Sequence, residues 1–251
     1  MTTSSADESG NDLTSAISSS FMTKNVEFDA SSDVVAALKE RWTTVVAPLF
    51  RKDTFSWWNR IVSLHSEPDR AYHRLMHLQE MMGFVDLVRQ SSNQIVILAV
   101  FFHDAIYDAK SATNEEDSAK LFQEFCRDTQ CNNEELEARV VRYILLTKSH
   151  KIPQDDDDPN LALFLDIDMA VLGKEEHAYL HYAGLIRQEY KFVDRSVYCE
   201  KRAEILETFL EESHIFVSKP MREALEQRAR GNLRKEIELL TSGMIPGEAQ
   251  T

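Results

Sequence analysis

The stretch Ile95–Asp108, IVILAVFFHDAIYD, decides how the rest of this chain is read. Eight apolar residues, Ile95 to Phe102, run directly into a histidine and an aspartate, His103 and Asp104, and apolar residues resume after them. The run is far short of the roughly 20 residues a membrane span needs, so it reads as a helix buried in a protein core. An ionised carboxylate in such surroundings costs several kcal/mol unless it is paired, and a bound dication is one of the few partners strong enough. A His-Asp pair alone also occurs by chance, so two further stretches have to be read beside it.

Tyr72–Leu78, YHRLMHL, sets His73 and His77 four residues apart, on one face of a helix expected over Tyr72–Arg89. Leu161–Gly173, LALFLDIDMAVLG, is again an apolar helix broken by acids, Asp166 and Asp168. His pairs at this spacing also serve as surface residues or helix supports. Taken together, three apolar helices that each carry an imidazole or a carboxylate are explained most simply if they converge and share a mixed His/carboxylate metal site.

Outward from these stretches the chain is helical by composition. Seven Gly and six Pro are few for 251 residues, and helix formers dominate, so the class expected is all-α. Residues 1–32, rich in Ser and Thr with scattered acids, read as a disordered tail. Residues 33–241 read as one helical domain and 242–251 as a flexible C-terminal tail. Helices are expected from Asp33 as N-cap through Val46, over Phe55–Leu64 ahead of Pro68, and over Gln94–Tyr107, Asn114–Arg127, Asn133–Lys148, Leu161–Leu172, Glu175–Phe192, Ser196–Glu212 and Met221–Leu240. The acidic run Asp155–Asp158 before Pro159 reads as a solvated loop and helix start. It lacks the spaced oxygens and turn glycine of a calcium loop.

The charge balance, 28 Lys and Arg against 42 Asp and Glu for a net −14, argues against nucleic-acid and anionic-membrane partners. Small anions remain admissible, because a metal and a few placed cations reverse the field locally. Three cysteines without CxxC spacing read as reduced thiols in a cytoplasmic or nuclear protein. No Gly-rich phosphate loop is present, which argues against ATP-driven chemistry. Homo-oligomerisation through an exposed helix face is compatible with the sequence.

The order His77, His103-Asp104, Asp168 resembles the ligand signature of the HD superfamily of metal-dependent phosphohydrolases. Within that superfamily the chain looks like the branch of predicted metal-dependent HD phosphohydrolases. The motifs that carry the resemblance are YHRLMHL, FFHDAIYD, NEEDSA from Asn114, ILLTKSH from Ile144, FLDIDMAVLG from Phe164, IRQEY from Ile186 and ARGNL from Ala229, over roughly residues 34 to 241. The resemblance implies a helical fold, a metal on His77, His103, Asp104 and Asp168, and a metal-activated water attacking phosphorus; the mixed His/carboxylate donors suit Mn, Fe, Co, Ni or Zn, and the lack of a further His cluster between Asp104 and Asp168, other than His150, favours one ion. It favours Asp168 over Asp166, and makes His73 the proton donor.

The substrate expected is a phosphate ester in a small metabolite, a nucleotide at the family level, with a non-catalytic metal- or nucleotide-binding sensor as the alternative. Asp104 would both ligate and polarise. Glu115 is a second candidate base, or else a first-turn acid behind an Asn114 cap. Lys148, His150 and Arg187 are candidate substrate contacts. Against this stand a C-terminal cation at Lys148 and interhelical packing at Arg187. His65, His177, His181 and His214 show no partner pattern and read as surface or packing residues.

Overall fold

The computed structural model describes residues 13–19, 32–52, 54–154 and 156–247, and among them it contains α-helices and one 3-10 helix but no strand. The all-α class expected from composition holds. In chain order the helices are α1 (residues 13–19), α2 (Ser32–Val46), α3 (Phe55–Leu64), α4 (Leu75–Leu87), α5 (Gln94–Phe102), α6 (Asn114–Asp128), α7 (Glu134–Leu146), α8 (Pro159–Asp168), the 3-10 segment Met169–Gly173, α9 (Glu176–Glu189), α10 (Arg195–Glu211) and α11 (Lys219–Thr241). They fall into two compact units: α2 to Leu165 forms one, and α1 together with the chain from Asp166 onward forms the other. No described helix is long and apolar enough to cross a membrane.

In the unit that ends at Leu165, α5 is the central element. Every residue from Val96 to Phe102 is buried, as a helix apolar on all sides must be, and α4, α6, α7 and α2 pack around it. Trp42 of α2 lies against Phe101, Phe102 and Phe125, with ring centroids 5.3, 6.0 and 5.3 Å away. Burying side chains of this kind contributes roughly 1.5–3 kcal/mol each. The helix starts are local: the Asn93 side chain accepts from the Val96 amide, and Asn133 accepts from the Leu136 amide at the head of α7. Asp158 opens α8 by accepting from the Asn160 amide. It also accepts from Arg139 and Tyr143, so the tail of the acidic run is anchored rather than free in water.

In the unit from Asp166 onward, α11 is the long spine, and α9, α10 and the 3-10 segment pack on it. Asn232, from the ARGNL motif, is buried and donates to the carbonyls of Leu172 and Lys174, both at 2.8 Å. Arg228 donates to Gly173 O at 3.0 Å. These bonds satisfy the carbonyls of a short 3-10 turn that has few bonds of its own.

Parts of both expected tails lie among the described residues. Residues 13–19 form a helix whose Ile17 is wholly buried, with Thr14 donating to Glu223. Leu13, Ala16 and Ile17 supply a short i, i+3, i+4 stripe that the surrounding Ser and Thr obscure. The remainder of the expected N-terminal tail, 1–12 and 20–31, lies outside the described residues, as do 248–251. At the other end α11 stops with Gly243 at φ +77°, its amide bonding Leu240 O and the Met244 amide bonding Leu239 O; Met244 is exposed, and Ile245 and Pro246 are buried beyond it.

Candidate metal centre

Two turns in the unit that ends at Leu165 carry the centre, one at the start of α4 and one at the end of α5. The helix expected over Tyr72–Arg89 begins only at Leu75, so His73 stands in the turn before it, and His77 in its first turn. The helix expected over Gln94–Tyr107 ends at Phe102, which leaves His103 as its C-cap and Asp104 beyond. The reason is tertiary. The carbonyls of Asp104 and Ala105 accept from Arg70, at 2.6 and 2.8 Å, and the Ile106 amide donates to Ser118 Oγ at 3.0 Å. Backbone groups that would have extended α5 are bonded to other elements instead.

The side chains that result face one another. His77 Nε2 lies 3.2 Å from His103 Nε2, and Asp104 Oδ2 lies 3.0 Å from His103 Nε2 and 3.8 Å from His77 Nε2. An ion about 2.1 Å from each donor sets neighbouring donors roughly 3.0–3.4 Å apart, so this triangle is close to the size one ion requires. Both imidazoles are buried and Asp104 is partly exposed. His103 Nδ1 donates to Val100 O at 3.0 Å, which directs the Nε2 lone pair into the centre; metal-binding histidines are commonly held in this way. Phe164 meets the His103 ring edge-on at 6.0 Å and supplies an apolar wall. By these measures His77, His103 and Asp104 could hold a metal ion.

His73 is outside the triangle and next to it. Its Nε2 lies 3.9 Å from Asp104 Oδ2, and its ring stacks on Tyr107 with centroids 4.1 Å apart. His65, read from sequence as a surface or packing residue, is buried near the same turns. Its Nδ1 donates to Ile61 O at 3.0 Å, and its Nε2 has no hydrogen-bond partner among the described residues. Burial, reinforced by the Arg70 guanidinium, holds the imidazole down at about 3, so it is neutral at pH 7. His177, His181 and His214 are exposed, as expected.

Glu115 and Lys148 come together in a second grouping. Lys148 Nζ donates to Ala112 O at 2.6 Å and to Glu116 at 2.5 Å, and lies 3.7 Å from Glu115. Its ammonium holds the Glu116 carboxyl below the usual carboxylate range. Thr113, not Asn114, is the N-cap of α6; the Asn114 side chain instead pairs with the backbone of Asp108. His150 takes a left-handed φ of +51° just after α7, its amide bonding Leu146 O.

The remaining expected site residues belong to the unit that starts at Asp166. Both oxygens of Asp166 accept backbone amides ahead of α11, Val217 at 2.8 Å and Ser218 at 2.6 Å. Burial pushes this carboxyl up to about 6, against the pull of those bonds. Asp168 is the last residue of α8 and is partly exposed. Arg187 donates to the carbonyls of Tyr190 and Val193, at 2.8 and 3.1 Å, and lies over the Tyr198 ring.

Arg70 is the residue the sequence reading passed over. A lone arginine three positions before His73 carries no periodicity that marks it as buried. Comparison with family models, curated proteins and solved structures found no match for this chain.

Proposed function

We propose that this protein is a metal-dependent phosphohydrolase of the HD superfamily that its motifs resemble. It would act on a phosphate ester in a small metabolite, with a nucleotide as the class those motifs favour. The observation that carries the proposal is the triangle of His77, His103 and Asp104, three donor atoms within 4.8 Å of one another on two turns of the chain. The motif resemblance alone adds Asp168 to these three as a ligand.

Two neutral imidazoles and a carboxylate suit a divalent ion between Mn and Zn in the first transition row. Such an ion, when bound, lowers the pKa of a water and polarises a phosphoryl oxygen. Asp104, the solvent-accessible member of the triangle, orients the attacking water and accepts its proton. His73, held against Tyr107 and 3.9 Å from that carboxylate, delivers a proton to the departing alcohol oxygen. The further roles, Glu115 as a second carboxylate base and Lys148, His150 and Arg187 as substrate contacts, rest on the motif resemblance.

The test is phosphate release from a nucleotide panel by chelator-stripped protein, with each divalent metal restored in turn and Asp104→Ala run alongside. Turnover that requires metal and falls on the order of 100-fold or more in the variant is the expected result. Wild-type protein that takes up none of these ions would sink the reading and leave the histidines and acids pairing only with one another. Metal uptake without turnover on any nucleotide would favour the sensor instead.

A further inference from the structure

Among the described residues of the unit ending at Leu165, Arg70 is the one guanidinium that is both buried, with its side chain 1% exposed, and bonded to the two turns that bear the centre. Its Nη1 donates to Asp104 O at 2.6 Å and His73 O at 3.1 Å, its Nη2 to Ala105 O at 2.8 Å, and its Nε to Glu67 Oε2 at 3.1 Å. It lies over the Tyr107 ring, 5.5 Å from the centroid, and His73 stacks on that same ring. Placing a cation this deep is costly, and its charge partner, Glu67, is itself 46% exposed. What the cation does in return is structural at one specific place: it joins chain segments more than thirty residues apart by their backbone carbonyls.

The geometry points to Arg70 as a positioning residue of the metal centre. It sets the separation between the turn that presents His73 and His77 and the turn that presents His103 and Asp104. This assignment rests on the metal reading above. Arg70 directs its N–H groups at carbonyls and at Glu67, so it acts through the ligands and contributes no donor atom of its own. A planar guanidinium suits this task because it fixes several acceptors in one plane at once. A lysine ammonium in its place retains the charge but loses that fork.

Cobalt(II), added to chelator-stripped full-length protein, reads the geometry directly through its visible d–d bands. Arg70→Lys is expected to fold, as seen by circular dichroism, to bind cobalt on the order of 10- to 100-fold more weakly, and to shift the bands. Leu136→Ala is the control for a general loss of stability. Leu136 is buried and borders one cavity with Asn93 and Gln94, at the end of α5 away from His103, and its truncation should lower Tm while leaving affinity and bands at the wild-type values. The assignment is overturned if Arg70→Lys keeps wild-type affinity and bands, or if Leu136→Ala shows the same losses.

Should Arg70→Lys fail to fold, Glu67→Gln decides the matter. It keeps the guanidinium but removes the one carboxylate charge that pairs with it among the described residues, and an unchanged cobalt affinity and spectrum would overturn the role. Wild-type protein without any cobalt spectrum would overturn the metal reading itself, and this assignment with it.

Discussion

At the residue scale, His65 couples the acid sensitivity of the fold to the turns of the centre. Its ring is buried with Nδ1 bonded to Ile61 O, and the charged or titratable groups acting on it are Arg70, His103 and Asp104. The folded-state pKa, about 3, lies below the ordinary histidine value of 6.5, so between these limits the unfolded chain binds a proton that the folded chain refuses. Stability from this group is therefore complete above about pH 6.5 and is lost as the pH falls toward 3, at up to about 1.4 kcal/mol per pH unit. The difference in unfolding free energy between wild type and His65→Gln should change with pH across that window and be flat above it; denaturant titrations at a series of pH values measure it. Asp166 works with the opposite sign. Its raised pKa makes the ionised carboxylate a cost above about pH 6, relieved as the pH falls toward the ordinary range.

At the element scale, the 3-10 segment Met169–Gly173 depends on α11 for both space and hydrogen bonds. A methyl group on Gly173 would stand 2.7 Å from Leu225 Cβ, inside van der Waals contact, so Gly173→Ala should destabilise the protein by about 1–3 kcal/mol. Asn232→Ala leaves two buried carbonyls, Leu172 O and Lys174 O, without their donor, and should cost roughly 2–4 kcal/mol. Thermal or urea unfolding checks both. A Gly173→Ala protein as stable as wild type would show that α11 yields at Leu225. At the C-terminus of α6 the strain is of another kind: Gln130 holds φ +57°, with its amide on Arg127 O and the Cys131 amide on Cys126 O. Glycine is the residue best suited to that position, and Gln130→Gly should raise stability by about 0.5–1 kcal/mol.

At the scale of the whole molecule, a net charge of −14 makes the surroundings of the protein unfavourable to anions, while the proposed substrate is an anion. A divalent ion on His77, His103 and Asp104 would reverse that field where it matters. Because such an ion binds the folded chain and not a preformed site in the unfolded one, it should stabilise by about 2.7 kcal/mol at a hundred times its Kd, a rise in Tm of roughly 5–10 °C. Differential scanning fluorimetry of stripped and metal-loaded protein measures this. Asp104→Asn should remove most of the rise, whereas Gly173→Ala should lower Tm and keep the rise.

The sequence by itself determined the helical class, the near-complete bounds of α3 and α6, and the residue types from which a metal centre could be built. Those properties follow from local periodicity, from capping and from the cost of burying a charge. Only the tertiary structure decided where α5 stops, that His73 lies outside α4, that Asp166 caps the backbone before α11, and that the donor atoms of His77, His103 and Asp104 meet at 3.0 to 3.8 Å. Each of these depends on a hydrogen bond or contact between residues far apart in the chain: Arg70 to Asp104 and Ala105, Asp166 to Val217 and Ser218, His77 to His103. Bonds of that span leave no periodic trace in the segments they join.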